Sequence, residues 1–373
     1  MNASPVGSVL ELFAGAGGAA LGLQRAGWQH LACIDRMPAA VATLREAGFP
    51  ALEGDVYDID WSPWTDEVDL LWASPPCQPG SQAGRRRGAR DDRDGWPATF
   101  AAIDALGPTW VLAENVLGWT RHRRGCNRRG AGRACVGCYW ANRILPQLRD
   151  RFEFVGTWRL DAADYGTPQR RRRVILWAGP LPLNTTPPRP THAQPDDEDA
   201  RLLGRLPWVT MGEAIGETLL DPTTCDRRRC YPCDEDYGRA CAERWRLGAP
   251  APTVTTTEEK GTRAHGPDWT FNGGPDRASD TAFLVAGIRR IDVAEGLALQ
   301  GFPEDWPLQG SVHDRYLQVG NAVPPQMAEA VGGAVALAHR GLERLVRVHP
   351  LPELVAALRR NAVAVPTHLW SPA

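Results

Sequence analysis

Over residues 8–178 short apolar segments alternate with short helical ones, and each apolar segment ends on glycine or on a polar motif. No other feature constrains the fold as strongly. Strands are read at Ser8–Phe13, Leu31–Ile34, Ala51–Asp55, Val68–Ala73, Trp110–Ala113 and Val174–Ala178. Helices are read at Ala19–Ala26, Val41–Ala47, Phe100–Leu106 and Asn142–Arg149. Near-continuous apolar strands separated by helices imply an α/β fold with a doubly wound, mostly parallel sheet. In such sheets ligands bind beyond the carboxyl ends of the strands, where every polar motif of this chain falls.

The motifs themselves suggest chemistry. Phe13, Ala14, Gly15, Ala16, Gly17 and Gly18 follow the first strand and open a helix, a turn in which backbone can approach a ligand closely. Asp35 ends the second strand, placed to accept from ribose hydroxyls, and Asp55 ends the third, placed to accept from an adenine amino group. Glycine turn and two acids together point to an adenosine-containing cofactor. Alone, each reads equally as a tight turn or a solvated strand end. Ser74-Pro75-Pro76-Cys77-Gln78 follows the fourth strand, and its prolines hold a thiol in a polar loop. Glu114-Asn115-Val116 closes the fifth strand, where a carboxyl can deliver a proton to a ring nitrogen. Gln169 to Arg173 precedes the last strand, so Arg171 and Arg173 share one face and are expected to point into the same cleft.

Taken in order, these segments resemble the DNA cytosine-5 methyltransferase family. Phe13–Gly18 resembles its first cofactor motif, Pro76-Cys77-Gln78 its nucleophile motif, Glu114-Asn115-Val116 its proton-donor motif and Gln169–Arg173 its arginine motif. Arg289–Pro303, with Glu295, resembles the ninth motif and Gly320–Pro325 the last. The family often carries Thr where Asp292 stands, and Arg where Ala294 and Ala298 stand. The resemblance covers about residues 8–178 and 288–340. It implies a class I S-adenosylmethionine-dependent fold. S-adenosyl-L-methionine would lie on Phe13, Ala14, Gly15, Gly17, Gly18, Asp35, Arg36, Asp55, Val56, Pro76, Asn321 and Ala322. Cys77 would attack C6 of a flipped-out cytosine, Glu114 would engage N3, and Arg171 and Arg173 would hold the base and its phosphate.

The implied organisation places a first catalytic part at 1–179 and an irregular, proline-punctuated target-recognition domain at 180–287. The catalytic domain is completed at 288–345 and followed by an extension at 346–373. Within the recognition segment, Pro252-Thr253-Val254-Thr255 resembles a short threonine-containing element of the family's recognition domains. Double-stranded DNA is the implied partner, with a monomeric, cytoplasmic enzyme of prokaryotic or phage type. A tRNA cytosine methyltransferase and a silent nucleic-acid-binding homologue are the alternatives.

Composition bears on the partner only locally. The 373 residues carry a formal charge of −2, yet arginines cluster at 85–87, 121–133, 170–173 and 227–229. A basic face can bind phosphate without a net positive charge. Nearly every base is Arg, Lys260 being the exception, which fits a coding bias and weakens the arginine signal. No apolar run approaches the roughly 18 residues of a membrane span, and the start shows no secretion signal.

Nine cysteines in a chain of this type suggest metal, catalysis or core rather than disulfides. Cys225, Cys230, Cys233 and Cys241 form one possible tetrahedral zinc set. His122, Cys126, Cys135 and Cys138 form another, and a third arrangement pairs the two CxxC knuckles on one ion. Reduced surface thiols remain the plain alternative. A zinc ion in any of these places would be structural.

Overall fold

The computed structural model describes residues 4–76, 94–122, 126, 135–180, 187–215, 250–251, 254–256, 270–271 and 293–346. Seven strands form one sheet: β1 (Ser8–Leu12), β2 (Gln29–Asp35), β3 (Ala51–Glu53), β4 (Leu70–Ala73), β5 (Trp110–Val116), β6 (Phe154–Asp161) and β7 (Arg172–Gly179). Their order is β3-β2-β1-β4-β5-β7-β6, with β7 alone antiparallel to its neighbours. β1, β4 and β5 are almost wholly buried. This is why they read as continuous apolar runs: central parallel strands are covered on both faces.

Helices cover both sides. α1 (Gly18–Arg25) and the long C-terminal helix, here α10 (Pro325–Val346), pack on one face with Trp28, Trp110 and Trp158. α3 (Trp96–Leu106), α4 (Val136–Tyr139) and α5 (Leu145–Arg149) fill the other face around Trp96, Trp119 and Trp140. A π turn at Trp140–Ile144 joins α4 to α5, so the expected helix at 142–149 starts six residues earlier, at Val136. α2 (Pro38–Glu46) lies over β2 and β3.

Two elements were not expected from the sequence. β6 has the in–out burial of an edge-side antiparallel strand, but Gly156 and Arg159 interrupt its apolar pattern. Gly156 is there because Trp177 of β7 lies flat on its backbone, leaving no room for a Cβ. The helix Val312–Asn321 leads into the last motif and opens on a capping box in which Ser311 and Asp314 satisfy each other's backbone amides. With α8 (Val293–Leu299) it is labelled α9, and the two pack together around Leu297, Leu299, Phe302 and Val319.

Short elements follow β7: β8 (His192–Ala193), α6 (Glu198–Leu202), β9 (Leu206–Pro207) and α7 (Met211–Ile215). They dock onto the turn after β6. Trp208 Nε1 donates to Asp164 at 3.0 Å, and the Arg170 guanidinium stacks over the Trp208 ring. Among the described residues no helix is long and apolar enough to cross a membrane.

Candidate active site

The glycine turn is built by conflict between chain direction and sterics. Phe13 is forced to φ 57°, and Gly15 and Gly17 take φ 54° and 82°. A bulky side chain at positive φ is strained, and such strain is kept where the surroundings over-determine the backbone. Here Asp35 does part of that. Its carboxylate accepts from Gly15 N at 2.7 Å and from Met37 N at 2.8 Å. Burial raises the Asp35 pKa, and those backbone donors, with Arg36, partly oppose the rise. Asp55 is exposed two residues past β3 and accepts from Tyr57 N, while Val56 beside it is buried.

The glycines differ in what they do. A Cβ on Gly15 would meet open space. One on Gly17 would stand 2.7 Å from Leu44 Cδ2, and one on Gly18 would collide with the Val323 carbonyl. Gly17 and Gly18 are therefore packing glycines, and Gly15 is the one that faces open space. The last motif is what packs against them. Val323 and Pro325 carbonyls abut Gly18 and Gly22 of α1, Ala322 is buried, and Asn321 ends α9 exposed. Trp306 closes the turn from above, its indole donating to Ala16 O at 3.0 Å. Sequence reading overlooked Trp306; its place three residues past the ninth motif's Pro303 was the available signal. Gly18→Val is expected to displace Val323 and abolish cofactor binding, whereas Gly15→Ala, whose methyl meets no protein atom but enters the open space beside Asp35, is expected to cost less stability and still weaken binding. Equilibrium binding of S-adenosylmethionine to the two variants checks this.

On the other side of β1, Asn115 Nδ2 donates to Pro75 O at 3.0 Å, which ties the proline pair to the end of β5. The chain returns to the same place at Gly95. A Cβ there would lie 2.7 Å from Phe13 Cζ and 3.0 Å from both Pro75 Cβ and Pro76 Cδ. Cys77 lies outside the described residues, but Pro76, which leads into it, packs against Gly95, which also meets the Phe13 ring. Glu114 sits one residue before Asn115, and its Oε1 is 2.7 Å from Arg173 Nε, with each side chain 11% exposed. The antiparallel β5–β7 register, with Val116 opposite Arg173, makes that pair possible.

Arg171 departs from expectation. It is buried, and its guanidinium donates to Val254 O at 2.8 Å and to Gly320 O at 2.9 Å. Gln169 accepts from Val254 N at 2.9 Å and donates to Leu299 O at 3.1 Å. Gln169 and Arg171 of the arginine motif thus join the segment at 254, the ninth-motif helix and the last motif into one knot. Arg171→Met is expected to strand two buried carbonyls and destabilise the protein by about 2–4 kcal/mol. Urea unfolding of the variant measures it.

Of the zinc sets, Cys225, Cys230, Cys233 and Cys241 lie outside the described residues. His122, Cys126, Cys135 and Cys138 are brought together, all four ligand atoms lying within 4.8 Å of one another. Burial and the neighbouring Cys126 and Cys135 sulfurs push the Cys138 thiol up to about 12. A further buried group, Glu11, His30 and Cys33, lies under the glycine turn.

The strand order, the single reversed strand, the glycine turn after β1 and the acids beyond β2 and β3 define a class I methyltransferase. The profile of the C-5 cytosine-specific DNA methylase family matches residues 7–221 and 226–336, and the chain belongs to that family. It is an S-adenosylmethionine-dependent DNA cytosine-5 methyltransferase. It is 31% identical over 337 residues to the Type II methyltransferase M.NgoMIV of Neisseria gonorrhoeae, covering 87% of this chain and 95% of that one. With M.NaeI of Lentzea aerocolonigenes it shares 30% over 357 residues, covering 88% and 75%. A putative prophage-encoded DNA modification methyltransferase from E. coli shares the fold at TM-score 0.56 and 16% identity, over 88% of this chain and 98% of that one. Spodoptera frugiperda DNMT2 does so at 0.56 and 18%, over 88% and 99%.

Proposed function

We propose that this chain is a sequence-specific methyltransferase of the Type II kind that modifies cytosine in double-stranded DNA, as a monomer in a prokaryotic or phage-infected cytoplasm. The observation that carries the catalytic reading is the Glu114–Arg173 pair beside the anchored Pro75-Pro76. Residues 1–179 and 288–345 serve as the catalytic domain, 180–287 as the target-recognition domain, and 346–373 as an extension.

The cofactor pocket fits S-adenosylmethionine because Gly15 faces open space beside the Asp35 carboxylate, at the ends of adjacent parallel strands. Asp35 would take the ribose hydroxyls, Asp55 the adenine amino group, and Arg36 and Val56 would flank the base. Phe13, Ala14, Pro76, Asn321 and Ala322 would close on the methionine end, with Gly17 and Gly18 shaping the turn. When bound, the cofactor supplies an electrophilic methyl group. Cys77 thiolate adds to C6 of the extruded cytosine while Glu114 holds a proton at N3, which makes C5 nucleophilic. After C5 is methylated, its proton leaves to a base and Cys77 is expelled, so the thiolate is regenerated. Arg173 fixes the Glu114 carboxyl, and Arg171 acts through the knot it ties. No step calls for a metal, so zinc held by this chain would be structural.

The test is transfer of tritium from labelled S-adenosylmethionine to duplex DNA and, in parallel, to tRNA. Label in DNA recovered as 5-methylcytosine at one recurring sequence supports the reading. Label confined to tRNA, or absent from both with folded, cofactor-binding protein, would overturn it.

A further inference from the structure

Among the described residues two clusters of potential ligands are unused by methyl transfer, and the one with four ligands follows Glu114. Glu114 ends on a 3-10 turn, Leu117–Thr120, and His122 follows two residues later. Cys135 and Cys138 stand at the start of α4, buried, with Cys126 beside them. The His122 Nδ1 atom is 3.5 Å from Cys138 Sγ and 3.8 Å from Cys135 Sγ, and Cys126 Sγ is 3.2 Å from Cys138 Sγ. A tetrahedral ion with Zn–S bonds near 2.3 Å and a Zn–N bond near 2.0 Å sets S···N edges of about 3.6 Å and S···S edges of about 3.8 Å. The His122 edges to Cys135 and Cys138 already have about that size, and the short Cys126–Cys138 edge opens by about half an ångström when a cation separates the sulfurs.

The backbone is shaped for this convergence. A Cβ on Gly137 would stand 2.7 Å from the Arg121 carbonyl carbon and 2.8 Å from His122 N. Glycine between Val136 and Cys138 is thus what lets α4 approach the 121–122 segment closely enough for the histidine to reach the thiols. Three cysteines and a histidine on two chain segments suit a soft, closed, four-coordinate site and leave no open position for catalysis.

We propose that His122, Cys126, Cys135 and Cys138 hold one structural zinc ion that clips the turn after Glu114 to the helix α4. The clip reaches the active site through packing. Trp119 of the clipped turn is wholly buried against Trp96 and Tyr139. The Tyr139 hydroxyl donates to Asp94 at 2.6 Å, and the Tyr57 hydroxyl to Asp94 O at 2.8 Å. Asp94 immediately precedes Gly95, the residue packed against Phe13 and Pro76. The ion is therefore a positioning element for both Glu114 and the point where the chain rejoins the proline pair.

The experiment uses the full chain, purified under reducing conditions without chelator. Zinc content is measured for wild type and for Cys126→Ser, Cys138→Ser, His122→Cys and Cys33→Ala. The Cys126 and Cys138 variants should each lose about one ion per chain relative to wild type, whatever the distal cysteines bind, and Cys33→Ala should lose none. His122→Cys keeps four ligands and should keep the ion. Its cobalt-substituted form should show stronger thiolate charge-transfer absorption than cobalt-substituted wild type, which provides a readout even where a serine variant misfolds. Equal zinc in wild type and Cys138→Ser, loss of zinc in Cys33→Ala, or a Cys126–Cys138 disulfide found by mass spectrometry would overturn the proposal.

Discussion

Cys77→Ala protein is expected to bind S-adenosylmethionine and DNA as wild type does, and to transfer methyl groups roughly 10⁴–10⁶-fold more slowly, the scale seen when a covalent nucleophile is removed. Among the described residues no thiol is placed to replace it. Cys33 is wholly buried in β2, and its pKa is pushed well up by burial and by Glu11. Cys126, Cys135 and Cys138 are gathered with His122 in their own cluster. Activation of carbon 5 needs a nucleophile on carbon 6, so losing the thiol removes the step that makes the base reactive and does not merely slow a later one. Single-turnover label transfer measures the loss. A second readout uses DNA carrying 5-fluorocytosine, whose fluorine cannot leave as a proton does, so the adduct persists. Wild type should shift on a denaturing gel and Cys77→Ala should not. A variant that still forms this adduct would place the nucleophile elsewhere.

The sheet and its glycine turn were legible because buried parallel strands carry an unbroken apolar signal, as Leu70–Ala73 does. β6 was not, because its pattern depends on a partner: Gly156 is explained only once Trp177 is seen lying on it. The helix Val312–Asn321 carried a readable sign in Ser311 and Asp314, which are spaced as a capping box. The site was legible in its residues and less so in their division of labour. Spacing alone makes Arg171 and Arg173 equivalent. Burial separates them, one holding Glu114 and the other holding the carbonyls of Val254 and Gly320. Likewise the three glycines of the turn look interchangeable until Val323 and Leu44 are placed against two of them. The four zinc-ligand candidates around residue 130 could be named, but their convergence rests on the close approach at Gly137, which no spacing rule encodes.

Glu114→Gln is expected to reduce kcat by about 10²–10⁴-fold, the range for removal of a positioned general acid or base, and to cost less stability than Arg173→Ala, because the Arg173 guanidinium keeps a hydrogen-bond acceptor although it loses its counter-charge. Glutamine keeps the shape and still accepts from Arg173 Nε, but it cannot hold a proton at the ring nitrogen. Arg173→Ala should behave differently. It leaves the Glu114 carboxylate, 11% exposed, without its guanidinium. Removing one partner of a buried pair costs about 3–5 kcal/mol, and somewhat less where some solvent reaches it. The double variant separates the two roles. With Glu114→Gln already in place there is no charge to strand, so Arg173→Ala should then destabilise far less than it does alone. Activity should not recover with stability, because the double variant still lacks the proton-holding group. Urea unfolding and single-turnover rates on the four proteins of this cycle test both halves. Equal destabilisation by Arg173→Ala in the two backgrounds would mean that the 2.7 Å pair does not govern the state of Glu114.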